Sequence, residues 1–389
     1  MSGGQPADAG LAGTLTQDEA FARIRLLRSP NIGPVSYGQL LRRFGTAGAA
    51  LAALPDLAGP RNGKGGGVAY RPAPEARIEA EIAAVRRAGA RYLFHDSPDY
   101  PPLLAQADGA PPILTMRGDP ALARRPAVAV VGARNASAAA VKLSRMFGAA
   151  LAEAGYVVVS GLARGIDGAA HLGALAGGAN GGGTIGVIAS GIDIAYPPEH
   201  AALQEDIATR GLLLAEQPAG TEPLARHFPS RNRIIAGIAA GTLVVEAAWK
   251  SGSLITARLA GEMGREVMAI PGSPLDSRSH GCNQLIRDGA ILVQTPEDVI
   301  ELLEGFAGTP RSTFREASPG FGPAFEQGGD DLADDPADLA ALLTTAPIAI
   351  DELIRQSGEA PAAVQLALLE LELAGRLVRH AGGRVSLSA

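Results

Sequence analysis

The chain has 389 residues, a length that allows two or three domains with a sizeable apolar core. Nearly half of the residues are apolar and only 4% are aromatic, so we expect an interior of alanine, leucine, isoleucine and valine. The formal net charge of −6 excludes a protein that is basic overall, and any binding of nucleic acid has to come from a local patch.

Cysteine usage and hydropathy set further limits. The single cysteine, Cys282, cannot form an internal disulfide or a cysteine-based zinc cluster, and it is expected to be a small buried side chain; no metal site and no cofactor are predicted. Residues 1–16 are expected to be disordered and lack the basic start of a secretion signal. The longest uncharged apolar run, 234–245, is shorter than the about 20 residues of a membrane span. These features predict a cytoplasmic protein without a membrane partner.

Residues 17–60 are predicted to form a helical domain similar to SAM or helix-hairpin-helix domains. Apolar residues recur at helical spacing on both sides of an apolar–Gly–Pro turn within 31–45. The amides of such a turn can bind a DNA phosphate, and Arg42 and Arg43 beside it suit that role. A tight turn in a small helical domain with a solvated basic face explains the same residues, and one short motif does not decide between the two interpretations.

Residues 61–125 are predicted to be a connecting segment followed by an extension of the sheet. A Gly/Pro-rich stretch over 55–67 precedes a predicted helix at 75–89. Short strands are expected at 91–95 and 113–116, and the prolines between them favour extended backbone.

Residues 126–306 are predicted to form the main domain, a doubly wound (Rossmann-like) parallel sheet of the α/β class. Short β-rich apolar runs alternate here with amphipathic segments, as expected for parallel strands covered by helices. A glycine-rich loop at 177–183 interrupts the pattern. Strands are predicted from residue 127 and at 156–160, 184–190, 212–216, 242–247, 266–270 and 291–294. Helices are predicted at 138–154, up to 176, and at 197–209, 231–240, 253–264 and 295–306.

The C-terminal part is predicted to comprise a disordered acidic linker, 307–337, and a winged-helix domain, 338–389. The third helix of that domain, 361–374, carries Glu370 and Glu372 and neither lysine nor arginine, which opposes insertion into a DNA major groove. The charge pattern favours a protein as the partner of this domain. Its other elements are predicted at 339–344, 350–356, 377–380 and 384–387.

Four strand-to-helix turns are expected to converge at the carboxyl edge of the sheet, where helix amino termini favour phosphates. In the first turn, VVGARNAS, Gly132 is followed by Ala133 and Arg134 instead of the G-x-G-x-x-G pattern of dinucleotide binding, so NAD is disfavoured. Arg134 can donate charge-assisted hydrogen bonds to a phosphate, or it can pair with a neighbouring acid.

The second turn, SGLARGIDGAAH, combines glycines, a cation and a capping acid. Gly161 and Gly165 permit unusual backbone angles, Arg164 adds a positive charge, and Asp167 can cap the helix that follows. His171 comes one turn later, and a lone histidine on a helix is usually structural.

The third and fourth turns bring further cations. The third, RHFPSRNR, places Arg231 and Arg233 around the expected start of a helix. Phe228 in this turn and Tyr196 can stack a base, although core packing explains Phe228 equally well. In the fourth turn, EAAWKSGS, Lys250 lies at a Gly/Ser turn that suits a phosphate. A Walker P-loop is absent, so ATP hydrolysis has no support.

Taken together, these strings resemble the DNA-processing protein DprA (Smf) family. The resemblance is carried by SGLARGIDGAAH, FPSRNRIIAGIAAGTLVVEAAWKSGSLITARLA, GREVMAIPGS and GCNQLIRDGA, and it is strong over 127–303. It implies a non-enzymatic homodimer that binds incoming single-stranded DNA during natural transformation, protects it and loads the recombinase RecA. It places the family's positive pocket at Arg134 and Lys250. The residues expected to bind nucleic acid, from the turns and the resemblance together, are Gly132, Arg134, Gly161, Arg164, Arg231, Asn232, Arg233, Lys250, Ser251, Gly252 and Ser253.

Two other functions stay open at this point. Phosphoribohydrolases of the related fold carry a P-G-G-x-G-T-x-x-E loop whose glutamate takes part in hydrolysis. Here the two-glycine phosphate turn is missing and the corresponding Glu246 is shifted, which disfavours a nucleotide-cleaving enzyme. The second alternative is a sequence-specific transcriptional regulator that reads DNA with its winged helix.

Overall fold

The computed structural model describes residues 15–57, 70–177, 181–304, 342–345, 347–380 and 382–388. Residues 1–14 and the linker 307–337, both predicted to be disordered, lie outside these ranges, as do residues 178–180 of the glycine-rich loop. The described residues divide into two compact units, one within 79–304 and the other formed by 15–78 together with 342–388. No helix in these ranges has the length and apolarity that crossing a membrane requires.

The first unit is built on a nine-stranded sheet with the order β1-β2-β6-β5-β4-β3-β7-β8-β9. In this spatial order, each pair of neighbouring strands between β6 and β9 is parallel. Strand β2 pairs with β6 in antiparallel orientation, and β1 pairs with β2 in the same way. This arrangement confirms the predicted doubly wound α/β fold. The strands are β1 (Arg91–Phe94), β2 (Ile113–Gly118), β3 (Ala127–Val131), β4 (Val157–Ser160), β5 (Thr184–Gly191), β6 (Leu212–Gln217), β7 (Gly241–Val244), β8 (Glu266–Ala269) and β9 (Ile291–Leu292).

Helices cover both faces of this sheet, which explains why its central strands are apolar throughout. Along β3, Val128 and Val130 face one apolar core, and Ala129 and Val131 face the other, as the two-residue period of a strand requires. The helices are α4 (Glu75–Arg87), α5 (Pro102–Ala105), α6 (Ala138–Glu153), α7 (Ile166–Ala176), α8 (Ala201–Arg210), α9 (His227–Ile238), α10 (Gly252–Glu262), α11 (His280–Arg287) and α12 (Pro296–Glu304).

The histidine of α7 is part of the core. His171 is fully buried, and its Nδ1 lies 2.8 Å from the Thr184 hydroxyl, which itself donates to the Val158 carbonyl. Because that hydroxyl proton is used, Nδ1 carries the hydrogen and Nε2 is left as an acceptor that has no partner among the described residues. Burial, together with the nearby His200 and Arg231, lowers the pKa of His171 to about 3.

We expect this histidine to make the fold sensitive to acid. The unfolded chain takes up a proton on His171 near pH 6.5, whereas the folded chain does so only near pH 3, so falling pH stabilises the unfolded state. The free energy of unfolding should therefore drop by up to about 1.4 kcal/mol for each pH unit in this window. Urea unfolding at several pH values, compared between wild type and His171→Asn, checks this. Parallel pH profiles for the two proteins would contradict it.

The second unit combines an N-terminal part, residues 15–78, with a C-terminal part, residues 342–388. Its N-terminal part is a three-helix domain, and its C-terminal part has the helices and small three-stranded sheet of a winged helix, with the strand order β10-β12-β11. Strand β10 was not predicted. The elements are α1 (Gln17–Leu27), α2 (Pro34–Phe44), α3 (Ala47–Leu57), β10 (Ile348–Ala349), α13 (Ile350–Ser357), α14 (Pro361–Leu373), β11 (Leu377–His380) and β12 (Arg384–Leu387).

Helix α14 packs against the N-terminal helices. Leu369 and Leu373 of α14 belong to the same buried cluster as Leu26 and Leu40. The Asn31 side-chain amide donates to the Leu373 carbonyl over 2.9 Å, and Gln39 donates to Gln365 over 2.8 Å. One face of the helix that would enter a DNA groove is therefore covered by protein, in this case by the chain's own N-terminal helices.

The turn between α1 and α2 also lies beside this helix. Asn31 adopts a left-handed conformation with φ of 58°, which asparagine tolerates better than most residues. A Cβ atom at Gly33 would lie 3.9 Å from a carboxylate oxygen of Glu372. Glu372 forms an ion pair with Arg379 over 2.9 Å, so its charge is balanced, and the structural and the phosphate-binding interpretations of the turn both stay predictions.

Candidate nucleic-acid interface

A crevice lies at the carboxyl edge of the sheet, between the loops that follow β3 and β7. From β3 the strand order runs through β4 to β6 on one side and through β7 to β9 on the other. The connections therefore leave β3 and β7 in opposite directions, and the space between them is where open α/β sheets bind ligands. The crevice has a volume of about 630 Å³. The predicted residues that line it are Gly132, Arg134, Arg231, Asn232, Lys250, Ser251, Gly252 and Ser253.

A smaller cavity adjoins this crevice beside Tyr196. It shares Arg134, Phe228 and Arg231 with the crevice and adds two further predicted residues, Gly161 and Arg164. The structure therefore brings residues of all four predicted turns to one edge of the sheet. Of the predicted site residues, Arg233 lies outside both cavities.

Arg134 is exposed and is positioned by an aromatic ring. Its guanidinium carbon lies 4.7 Å from the centroid of the Phe228 ring, close enough for a cation–π contact, and the Tyr196 and Phe228 ring centroids are 5.7 Å apart. Within the described ranges, the Arg134 guanidinium forms no ion pair with a carboxylate. Its hydrogen-bond donors are therefore available to an anion, and two aromatic side chains lie next to it.

Lys250 lies across the crevice, in the turn that leads into α10. Its side chain is exposed, and it too forms no ion pair with any described acid. The following residue, Ser251, caps α10 by accepting a hydrogen bond from the Ser253 amide. Asn232 donates to the Gly252 carbonyl over 3.4 Å, which links α9 to this turn. The ammonium group and the amino terminus of α10 both favour a negative ligand here.

Arg231 has a different role from Arg134 and Lys250. The prediction placed it at the start of a helix, but α9 begins at His227, and Arg231 lies inside the helix with only 5% of its surface exposed. Its Nη1 donates to the Gly161 carbonyl over 2.5 Å and also to the Val187 carbonyl. Burial lowers the pKa of this guanidinium to about 10, and the nearby carboxylate of Asp167 opposes that shift. Arg231 therefore has a structural role, because it links α9 to the loop after β4 and to β5.

The glycine turn after β4 is arranged around this arginine. A Cβ atom on Gly161 would overlap the Arg231 guanidinium, so the close approach of the two requires glycine. Asp167 is buried in the first turn of α7, and its carboxylate accepts hydrogen bonds from the Gly161 and Ala163 amides. Burial raises the pKa of Asp167, whereas the charge of Arg231 and the amide hydrogen bonds lower it. Asp167 therefore fixes this turn.

Two of the predicted cations are neutralised by acids. Arg164 is exposed and forms an ion pair with Glu199, and that contact lowers the pKa of the glutamate. Arg233 pairs with Glu216 and donates to the Gly109 carbonyl over 2.6 Å. Since each charge is already balanced, these two arginines contribute less to attracting an anion than Arg134 and Lys250 do.

Glu246 is buried and connects the loops after β3 and β7. Its carboxylate accepts hydrogen bonds from the Ser137 amide at 3.0 Å and the Ser137 hydroxyl at 2.6 Å, and Ser137 is the amino-terminal cap of α6. A Cβ atom at Gly132 would come within 2.6 Å of Ile166 and 2.9 Å of the Glu246 carbonyl, so this strand end requires glycine. These contacts connect the loops after β3 and β7.

One residue of the crevice was missed by the sequence analysis. Arg278 lines the crevice from the loop that follows β8, and it pairs with Asp276 at 3.1 Å. The segment GSPLDSRSH follows the parallel strand β8 and contains this cation, and this is the sequence signal that indicates it. Within the described ranges, no group of three His, Cys, Asp or Glu side chains is arranged to hold a metal ion.

The fold and the crevice define a class: a doubly wound α/β protein with an anion-favouring crevice at the carboxyl edge of its sheet, accompanied by helical and winged-helix domains. Three family models match the chain: DNA recombination-mediator protein A over residues 91–304, a DprA-like N-terminal HHH domain over 17–84, and a DprA winged helix domain over 323–383. The chain belongs to the DprA (Smf) family, and the family gives it a role in DNA processing.

Individual relatives agree with this assignment. Protein Smf of Escherichia coli is 36% identical over 319 residues, which cover 81% of this chain and 82% of the relative. The DprA structure from Streptococcus pneumoniae matches with a TM-score of 0.60 and 36% identity, covering 74% of this chain and 98% of that one. The Helicobacter pylori DprA structure, which is described as showing a unique single-stranded DNA binding mode, matches with a TM-score of 0.50 and 28% identity over 55% of this chain and 95% of that one.

Proposed function

We propose that this protein binds single-stranded DNA in the crevice between the β3 and β7 loops, and that it acts in the cytoplasm during natural transformation. The observation that carries the proposal is a pair of cations, Arg134 and Lys250, which come from separate turns, line the same crevice and have no acidic partner in the part of the chain that the structure describes. Such a pair attracts a polyanion locally although the chain as a whole is acidic. The single-stranded DNA binding described for the Helicobacter pylori relative agrees with this proposal.

The preference for single strands follows from the aromatic side chains. Tyr196 is 41% exposed and lies beside Phe228 at the edge of the cavity that contains Arg134. An unpaired base can stack on such rings, whereas the bases of a duplex are already stacked on one another. A cation beside one exposed and one half-buried ring is therefore suited to a single strand of any sequence.

The further steps of the proposal rest on the family. We infer that the protein works as a homodimer, protects the bound strand from nucleases and loads RecA onto it. Sedimentation of the full chain tests the dimer. Nuclease digestion of an oligonucleotide and RecA assembly on it, each followed with and without the protein, test the other two steps.

Two contacts argue against the alternatives. In a nucleotide-hydrolysing enzyme Glu246 would act on the substrate, but here both of its carboxylate oxygens accept hydrogen bonds from Ser137. In a winged-helix regulator α14 would enter a DNA groove, but its Leu369 and Leu373 are buried against the N-terminal helices. Release of adenine from AMP that is lost in Glu246→Ala would support the enzyme instead.

A comparison of single-stranded and double-stranded DNA of equal length tests the proposed function. We expect a short oligo-dT to bind more tightly than a duplex of the same length at physiological salt, because only the single strand offers unpaired bases to Tyr196 and Phe228. Fluorescence anisotropy of end-labelled oligonucleotides measures both affinities. Equal affinities, or tighter binding of the duplex, would contradict the proposal.

A further inference from the structure

Trp249 is an exposed tryptophan directly beside the crevice. It is the only tryptophan of the chain, lies in the loop between β7 and α10, and precedes Lys250. The residue is 62% exposed, which is unusual for one of this size. Among the described residues, no aromatic ring and no cation packs on the indole. One large apolar face is therefore presented to solvent next to a cation.

The indole borders a second groove, which runs between α10 and α11. Its volume is about 570 Å³, within the range of about 300–1,000 Å³ that is typical of ligand sites. Its apolar lining comes from Leu254, Ile255 and Leu285. Lys250 and Ser251 line both this groove and the crevice, so the two cavities meet at these residues.

The charges in the groove determine how a nucleotide can lie in it. Asp288 lines the groove and repels a phosphate, whereas the charge of Glu262, which also lines it, is balanced by an ion pair. Arg258 is paired with Glu262 at 3.5 Å, which leaves Lys250 as the cation of this groove without an acidic partner among the described residues. A phosphate is therefore favoured only at the Lys250 end. The apolar part that remains, with Trp249 beside it, suits a base.

We infer that this groove is a second nucleotide subsite, in which the Trp249 indole stacks on the base next to the phosphate that Lys250 binds. The inference rests on the proposed function and extends it, since it takes the strand out of the crevice, across Lys250 and Ser251, into the groove between α10 and α11. A π-face accepts any base, so the subsite lengthens the bound segment without adding sequence preference.

The single tryptophan makes a direct test possible. Unlabelled oligo-dT is titrated into the full-length protein while tryptophan fluorescence is recorded, and binding of labelled oligo-dT is followed in parallel by anisotropy. We expect the fluorescence to be quenched in step with the anisotropy change. Trp249→Ala should weaken binding about fivefold or more, the lower bound for one lost stacking contact, whereas Trp249→Phe keeps a ring and recovers most of the affinity. The salt dependence of Trp249→Ala should match that of wild type, because no phosphate contact is lost.

The outcomes separate the inference from the function on which it rests. Binding seen by anisotropy without tryptophan quenching, or an unchanged affinity in Trp249→Ala, overturns the subsite and leaves the proposed function standing. A failure of oligo-dT to bind at all overturns the proposed function. A blue shift of tryptophan emission as the protein alone is concentrated would show a second copy covering the indole, and would also overturn the subsite. Val141→Ala, which removes an exposed apolar side chain of α6, is the matched control.

Discussion

Replacement of Arg231 by methionine should destabilise the protein by about 3 kcal/mol or more. The substitution removes the donors to the buried Gly161 and Val187 carbonyls, and each unsatisfied buried group costs about 1–3 kcal/mol. It also leaves the buried Asp167 carboxylate without the positive charge that offsets its desolvation. Both effects act on the native state, so the whole loss should appear in the free energy of unfolding.

Urea denaturation measures this loss. The midpoint should fall in Arg231→Met with little change in the slope, since the surface exposed on unfolding is nearly the same. Arg226→Met is the control, because Arg226 is exposed one turn earlier and surface changes usually stay within about 0.5 kcal/mol. Adding Asp167→Asn to Arg231→Met should recover part of the loss, as it removes the unbalanced charge. A wild-type midpoint in Arg231→Met would show that Arg231 is not structural.

The second large effect is expected on DNA affinity. Arg134→Ala and Lys250→Ala should each weaken binding of oligo-dT about tenfold or more at physiological salt, since a hydrogen bond to a charged group contributes about 1.5–3 kcal/mol. Neither variant should lose stability, because both side chains are exposed. Anisotropy titrations give the affinities, and urea midpoints verify the folds.

Two cations away from the crevice serve as controls for these variants. Arg145 and Lys142 are exposed on α6 and line neither cavity. Arg145→Ala and Lys142→Ala change the net charge by the same amount as the site variants, so any general effect of charge appears in all four proteins. If all four lose affinity equally, the crevice has no special role.

The fold could be predicted because it follows from local patterns. A strand buried on both faces is apolar throughout, as in Ala127–Val131, and a covering helix such as Ala138–Glu153 shows its own period. Parallel strands end at one edge, so the turns with Arg134 and Lys250 were expected to lie together, and they line the same crevice. The alternation of strands and helices was sufficient for that prediction.

The state of each arginine could not be predicted from these patterns, because it depends on residues distant in sequence. Arg233 is neutralised by Glu216 of β6, and Arg164 by Glu199 from the segment before α8. Arg231 is buried because α9 begins four residues earlier than the apolar pattern indicated. Arg164 thus forms a surface ion pair, Arg233 forms a partly buried ion pair, and Arg231 is a structural core residue, although the three appear equivalent in the sequence.

Local sequence patterns also could not predict that α14 packs against the N-terminal helices. Asn31 and Leu373 are more than 300 positions apart, yet they share a hydrogen bond in the second unit. The acidic character of α14 favoured contact with protein over DNA, but it could not indicate the chain's own N-terminal helices, against which Leu369 and Leu373 are buried. Contacts of this kind depend on shape complementarity between domains that look independent in the sequence.

The most direct test of the account is the salt dependence of oligo-dT binding in wild type, Arg134→Ala, Lys250→Ala and the double variant. Each lost phosphate contact on a single strand reduces the slope of log affinity against log salt by about 0.7. We expect slopes that are shallower by about 0.7 in each single variant and by about 1.4 in the double variant. A double variant with the wild-type slope would show that these two side chains do not bind the phosphates, and would contradict the account.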